Sequence, residues 1–211
     1  MALNQKALQK KRAKKAEKRK AVKKSVVNML FRGFASEWAA AASAPIAEVL
    51  VPGNIFEVGM GMIIFTRKLA DGRMAMASFL VDSYCLGVKN AMYKILNPQE
   101  YSYMVEQSNH WAENTMESME PAYAVKLVES AITYAKGLGF DPHPDYQIAK
   151  TLFGNVNAAD CREEFEFGLN GKPVYMAGPD DTPGIQNRIL KQLEKQGITS
   201  VAVLSHPDSY E

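Results

Sequence analysis

Three observations predict an α+β fold for this chain of 211 residues. Apolar runs joined by turn signals come first, proline-led amphipathic helices fill the middle, and a strand–helix–strand pattern closes the sequence. The expected architecture is a small antiparallel sheet built from hairpins and packed with about four helices. A long, basic, helical N-terminal extension precedes it. Two parts follow from this reading: a Lys/Arg-rich arm over residues 1–24, helical or ordered on binding, and a single α+β domain over 25–211.

The arm reads as helix because Ala, Lys, Arg, Gln, Glu and Leu are good helix formers and no Gly or Pro occurs before Gly33. Its first part, residues 4–21, has no apolar face to bury, and like charges at helical spacing oppose it in isolation. From Val22 the character changes. Val22, Val26, Met29, Leu30 and Phe34 recur at helical spacing, so this end is expected to dock while the charged half projects into solvent. Ala39–Ala44 with Pro45 then reads as a break into extended chain. Residues 46–51 and 55–82 read as strands, and in the second stretch Ala70-Asp71-Gly72-Arg73 separates two apolar runs as a hairpin turn. Cys85–Val88 reads as a third strand. Gly59, Gly61 and Gly87 mark bulges or close backbone contact.

Asn97-Pro98 opens a helix expected to run to Met119, and Pro121 opens another. In the second, Ala124, Leu127, Val128, Ala131, Ile132 and Ala135 form one stripe, stopped by Gly137 and Gly139. Asp145–Phe153 reads as a short helix. The stretch FEFGLNGKPVYMAG reads as a second hairpin turning at Asn170-Gly171. Pro183–Gln196 reads as a helix, and Thr199–Leu204 as a last strand.

Charge is divided between the two parts. Residues 1–24 hold eleven Lys and Arg against Glu17 alone, a net of +10. The whole chain has 25 basic and 23 acidic side chains, which leaves 14 against 22 for residues 25–211, a net of −8. Such asymmetry points to an anionic partner for the arm. The cations are Lys6, Lys10, Lys11, Arg12, Lys14, Lys15, Lys18, Arg19, Lys20, Lys23 and Lys24. Lys outnumbers Arg nine to two, which favours neutralising phosphate over bidentate reading of bases. The arm has no aromatic ring for stacking on bases. In composition it resembles the basic extensions of ribosome-associated and other RNA-binding proteins. That resemblance implies RNA or a ribonucleoprotein as partner. KKRAKK also reads as a nuclear import signal. A membrane-surface arm would need bulky apolar residues opposite the lysines, which residues 1–21 lack.

The body offers weaker chemical candidates. FLVDSYCLGVKNAMYK gathers Asp82, Cys85 and Lys89 at a strand end, so a cysteine- or lysine-centred active site is the alternative function, with the arm as localiser. Read as extended chain, it puts Ser83 and Cys85 on one face and Asp82 and Tyr84 on the other. A histidine base would come from His110 or His143, both far off in sequence, with His143 the one carried as a site candidate. The competing reading is a buried structural cysteine beside a turn capped by Asp82. Asp141, His143 and Asp145 alternate as metal ligands would, but two prolines make the segment a rigid turn, with Asp145 as helix cap. Asp180, Asp181 and Thr182 before Pro183 read as an acidic helix start. Met60, Met62, Met74 and Met76 read as core or partner surface rather than a soft-metal site. Gly59-x-Gly61 lacks the third glycine of a dinucleotide fingerprint, and phosphate-loop and serine-hydrolase motifs are absent. No metal and no cofactor is expected.

Cys85 and Cys161 stand far apart, which suits a reducing compartment. No apolar run is long enough to span a membrane, and Asn28, Arg32 and Glu37 interrupt the one stretch that imitates a signal peptide. The expected location is cytoplasmic, or nuclear in a eukaryote. A protein partner docking on the acidic body is a further expectation.

Overall fold

A computed structural model describes residues 17, 20, 33–113, 115–178, 181–198 and 203–205. The chain divides into two compact units, Met1–Ala40 and Ala41–Glu211. In the first, Glu17 and Lys20 are helical and exposed. The described residues 33–41 are helical, here α1, and within them Phe34 and Trp38 stack with ring centroids 6.2 Å apart. The anchor positions Val22, Val26, Met29 and Leu30 lie outside the described residues, as do the arm cations other than Lys20.

The second unit is α+β. Five strands form one antiparallel sheet: β1 (Ile46–Pro52), β2 (Met60–Lys68), β3 (Met74–Asp82), β4 (Gly87–Leu96) and β5 (Met116–Ser118). Their order is β4-β3-β2-β1-β5. The β2–β3 hairpin turns at Asp71-Gly72, where Leu69 N–H donates to Arg73 O at 2.8 Å and Gly72 has φ 87°. Open space surrounds Gly72, so only its backbone conformation demands glycine. Gly72→Val is therefore expected to cost about 1–2 kcal/mol, because a β-branched residue resists positive φ. The check is a melting temperature lower by several degrees; an unchanged one would contradict the turn.

Both faces of the sheet are covered, which is why β2 and β3 read as unbroken apolar runs. On one face Phe153 meets Phe65 and Phe79 with centroids 5.3 and 5.2 Å apart, and Tyr146 meets Phe79 at 6.0 Å. These rings come from α5 (Tyr146–Ala149) and the 3-10 helix Lys150–Phe153 that continues it. Helix α4 (Pro121–Gly137) buries the whole predicted stripe together with Val125. Gly87 lies so close to α4 that a Cβ there would stand 2.8 Å from Ala131 O. On the other face α3 (Pro98–Trp111) lies over Leu50, Ile64, Met76 and Leu96, with Met62, Met92, Met104 and Met116 partly buried around them. Of the hairpin methionines, Met62 and Met76 thus fill this core layer, while Met60 packs against Tyr84, Val174 and Met176.

Four expectations are corrected. Ile55–Val58 is a helical turn, α2, rather than strand, and it ends at Gly59 with φ 84°. A Cβ on Gly59 would stand 2.3 Å from the Tyr84 ring. The third strand is Gly87–Leu96 rather than Cys85–Val88, because residues 83–86 turn. The helix after Pro98 stops at Trp111 instead of Met119: Glu113 takes φ 51°, and Met116–Ser118 pairs with β1 as β5. Asn170-Gly171 does turn, with φ 52° and 72°, but only Leu169 and Lys172 bridge across it. No hairpin ladder forms there. Instead β6 (Tyr175–Ala177) pairs in parallel with β7 (Val203–Ser205), across α6 (Pro183–Lys195). Among the described residues, no helix is long and apolar enough to cross a membrane.

Candidate functional site

The block nominated for chemistry, residues 82–89, is a turn followed by a strand. Asp82 caps it: its Oδ1 accepts from the N–H groups of Tyr84 at 3.0 Å and Cys85 at 2.8 Å. Ser83 Oγ donates to Ile55 O at 3.0 Å, and Tyr84 Oη donates to Glu57 O at 2.6 Å. The alternation expected of an extended chain is therefore overturned here, because a side-chain acceptor has bent the backbone. Asp82 and Cys85 are both fully buried. Cys85 joins Leu86, Tyr175, Ile189 and Leu193 in a compact apolar cluster. Burial, with the Asp82 charge adding to it, pushes the thiol up to about 12. Such a thiol carries almost no thiolate at neutral pH, an environment that suits a structural cysteine.

Lys89 follows a different course. The β3–β4 register pairs Leu80 with Asn90 and Val81 with Val88, so Lys89 is an extra residue opposite none. From this bulge its Nζ lies 3.4 Å from Asp181 Oδ2 and 3.5 Å from Met176 O. Asp181 Oδ2 also accepts from Tyr175 Oη and from Gly178 N–H, both at 2.8 Å. Burial alone would push Asp181 up, yet Gly178, Tyr175 and Lys89 together hold it below the ordinary carboxylate range. Asp181 is thus a joint between β4 and β6. The N-cap position of α6 belongs to Thr182, which makes no side-chain capping bond. Tyr175, inside the apolar run VYMA, gave no sign in the sequence of this role.

His143 comes to the same strand end by its backbone, donating N–H to Val88 O at 2.9 Å. Its Nδ1 accepts from Asp145 N–H at 3.2 Å and lies 4.0 Å from Asp145 Oδ2. Asp145 stands at the N-cap of α5 without a capping bond from its own side chain. The structure thus brings the His143 backbone to Val88, next to Lys89 in the chain, while the Lys89 charge acts on the buried Asp82 and Cys85. No group of three His, Cys, Asp or Glu side chains among the described residues is placed to hold a metal ion.

Asp82 carries a cost. Its Oδ2 has no hydrogen-bond partner among the described residues. Burial raises the carboxyl to about 6, against three backbone N–H groups and the Lys89 charge that oppose the rise. Because the folded form holds its proton more tightly than the unfolded chain, this group favours folding below about pH 4 relative to neutral pH. That advantage fades as pH rises through about 6, leaving Asp82 a burden of about 3 kcal/mol at pH 7. Asp82→Asn keeps the Oδ1 acceptor and removes the charge. Its stability relative to the wild type is expected to be greater at pH 7 than at pH 4, because only the wild type takes on the buried charge as pH rises. Melting curves that run parallel for the two proteins from pH 4 to 7 would contradict this.

Comparison of the chain with protein-family models, with curated proteins and with solved structures finds no match.

Proposed function

We propose that the protein is a nucleic-acid-associated accessory factor, of RNA or a ribonucleoprotein such as the ribosome, that grips phosphate backbone through Lys6–Lys24. The observation that carries this reading is the separation of charge, +10 in residues 1–24 against −8 in the rest. Many close cations release many counterions from phosphate, so the arm alone supplies strong attraction, and the acidic body repels the same polymer. Binding through one end follows. The dominance of Lys over Arg and the lack of arm aromatics favour contact without sequence reading. The burial of Cys85 and the capping role of Asp82 support a folded module for the body rather than a thiol enzyme.

A purification at low salt tests it. Nucleic acid is expected to accompany the protein, with the ultraviolet absorbance ratio falling after ribonuclease treatment and not after deoxyribonuclease. A preparation free of nucleic acid at low salt from the outset would overturn the reading.

A further inference from the structure

Residues 162–167, Arg-Glu-Glu-Phe-Glu-Phe, cross the surface of the second unit outside any helix or strand. Phe165 and Phe167 anchor this strap. Phe165 stacks on Phe56 at 5.7 Å and meets Tyr123 edge-on at 5.1 Å; Phe167 stacks on Tyr134 at 5.3 Å. Beyond the strap, Gly168 N–H donates to Ser83 O at 2.9 Å, and before it Lys126 Nζ reaches Cys161 O at 3.2 Å. The strap is therefore held at both ends and by alternate side chains. Among the described residues, however, none of residues 162–167 makes a backbone–backbone hydrogen bond. The segment has the side-chain fastening of an edge strand and the unspent donors and acceptors of one.

Its charge selects what can use them. Glu163, Glu164 and Glu166 are exposed, as are the neighbouring Glu57, Glu117 and Glu120. Burial, with the charges of Glu163, Cys161 and Glu117 adding to it, pushes the Tyr123 hydroxyl up. Two cations stand against these acids: Arg162, exposed in the strap itself, and Lys126, which pairs with Glu164 at 2.8 Å; that carboxylate is 90% exposed, so the pair is weak. An acidic strand would meet repulsion here, a neutral one would gain nothing from these charges, and a basic one would be attracted.

We propose that this strap is a docking edge for a Lys/Arg-rich protein segment, which adds to it as a strand and sets its cationic side chains against Glu164 and Glu166. Backbone hydrogen bonds supply affinity and the acidic comb supplies selection, the division of labour usual in strand addition. The inference does not rest on what the arm binds.

The test uses the full chain and a blocked peptide of alternating lysine and threonine, about seven residues long, roughly the span of an ordinary strand. Binding in the micromolar range is expected, with new hydrogen-exchange protection over residues 162–167. A peptide N-methylated at alternate positions keeps every charge and loses its donors, so it should bind about tenfold more weakly. The Glu164→Gln/Glu166→Gln protein should weaken the unmodified peptide about three- to tenfold. Circular dichroism checks that variant's fold, and the N-methyl comparison on wild type does not depend on it. Failure of the peptide to bind, or equal binding of the N-methylated peptide, would overturn the proposal. So would equal binding by a folded variant. A concentration-dependent dimer that the peptide dissolves would place the arm of a second copy on the strap and overturn a separate partner.

Discussion

Arg67→Met is expected to destabilise the second unit by about 3–5 kcal/mol, the cost of leaving buried acceptors unpaired. Arg67 is 4% exposed and has three carbonyl partners. Its Nε donates to Leu152 O at 2.7 Å, its Nη1 to Ala44 O at 2.5 Å, and its Nη2 to Phe153 O at 2.8 Å. One planar fork thus ties β2 to the turn after α1 and to the end of the 3-10 helix. Burial pulls its pKa down, and the Phe65 ring, 5.6 Å from the guanidinium carbon, provides a further cation–π contact. Methionine fills much of the volume but satisfies none of the carbonyls. Lysine keeps a charge but lacks the fork, so Arg67→Lys should also lose stability. For a unit of this size the Met variant should melt roughly 6–20 °C below wild type. A melting temperature within about 2 °C of wild type would show that water replaces the guanidinium without cost.

Deleting residues 1–21 is expected to remove most of the nucleic-acid affinity while the second unit stays folded. Eleven cations cannot all reach phosphate from one helix, so about five to eight contacts are expected. Log K should then fall against log salt with a slope of about −4 to −7, a loss of roughly 10²- to 10⁴-fold between 50 and 200 mM salt. The deletion takes nine of the eleven cations, and with them most of that slope. The sheet and its helices begin after Ala41, so their melting should not change. Replacing Lys10, Lys11, Lys14, Lys15 and Lys18 by Gln should act similarly, since Gln preserves helix propensity. Equal binding by full and truncated chains at every salt concentration would mean that the arm is not the contact.

The parts legible in the sequence were those fixed by local rules. Asp71-Gly72 specifies its own turn, and the α4 stripe declares a buried helix face through spacing alone. Residues 112–119 were illegible because Ala, Glu and Met favour helix, while the pairing that makes Met116–Ser118 a strand comes from β1, more than sixty residues earlier. FEFGLNGKPVYMAG alternates like a hairpin, yet Phe165 and Phe167 spend their faces on Phe56, Tyr123 and Tyr134 instead of on a partner strand. Within the candidate site, Asp82 and Cys85 were correctly seen as neighbours, but their burial is a tertiary fact. The Lys89–Asp181 contact spans 92 positions, and no short motif foretells it. Asp181 in a run of turn residues resembled a helix cap until Tyr175 and Gly178 claimed its carboxylate.

The parallel pairing of β6 with β7 has a consequence for how the chain can be trimmed or tethered. Tyr175–Ala177 finds its ladder partner in Val203–Ser205, beyond an intervening helix, so this late strand closes the unit like a latch. A chain cut before Val203, or pulled by a load at its C-terminal end, would strip β6 of that ladder first. Tyr175 would loosen next, and with it Asp181 and the anchor of Lys89. The five-stranded sheet, pinned by Arg67 and the α4 stripe, would outlast this loss. Fusions and surface attachments are therefore less disruptive to this latch at the N-terminal end than at the C-terminal one.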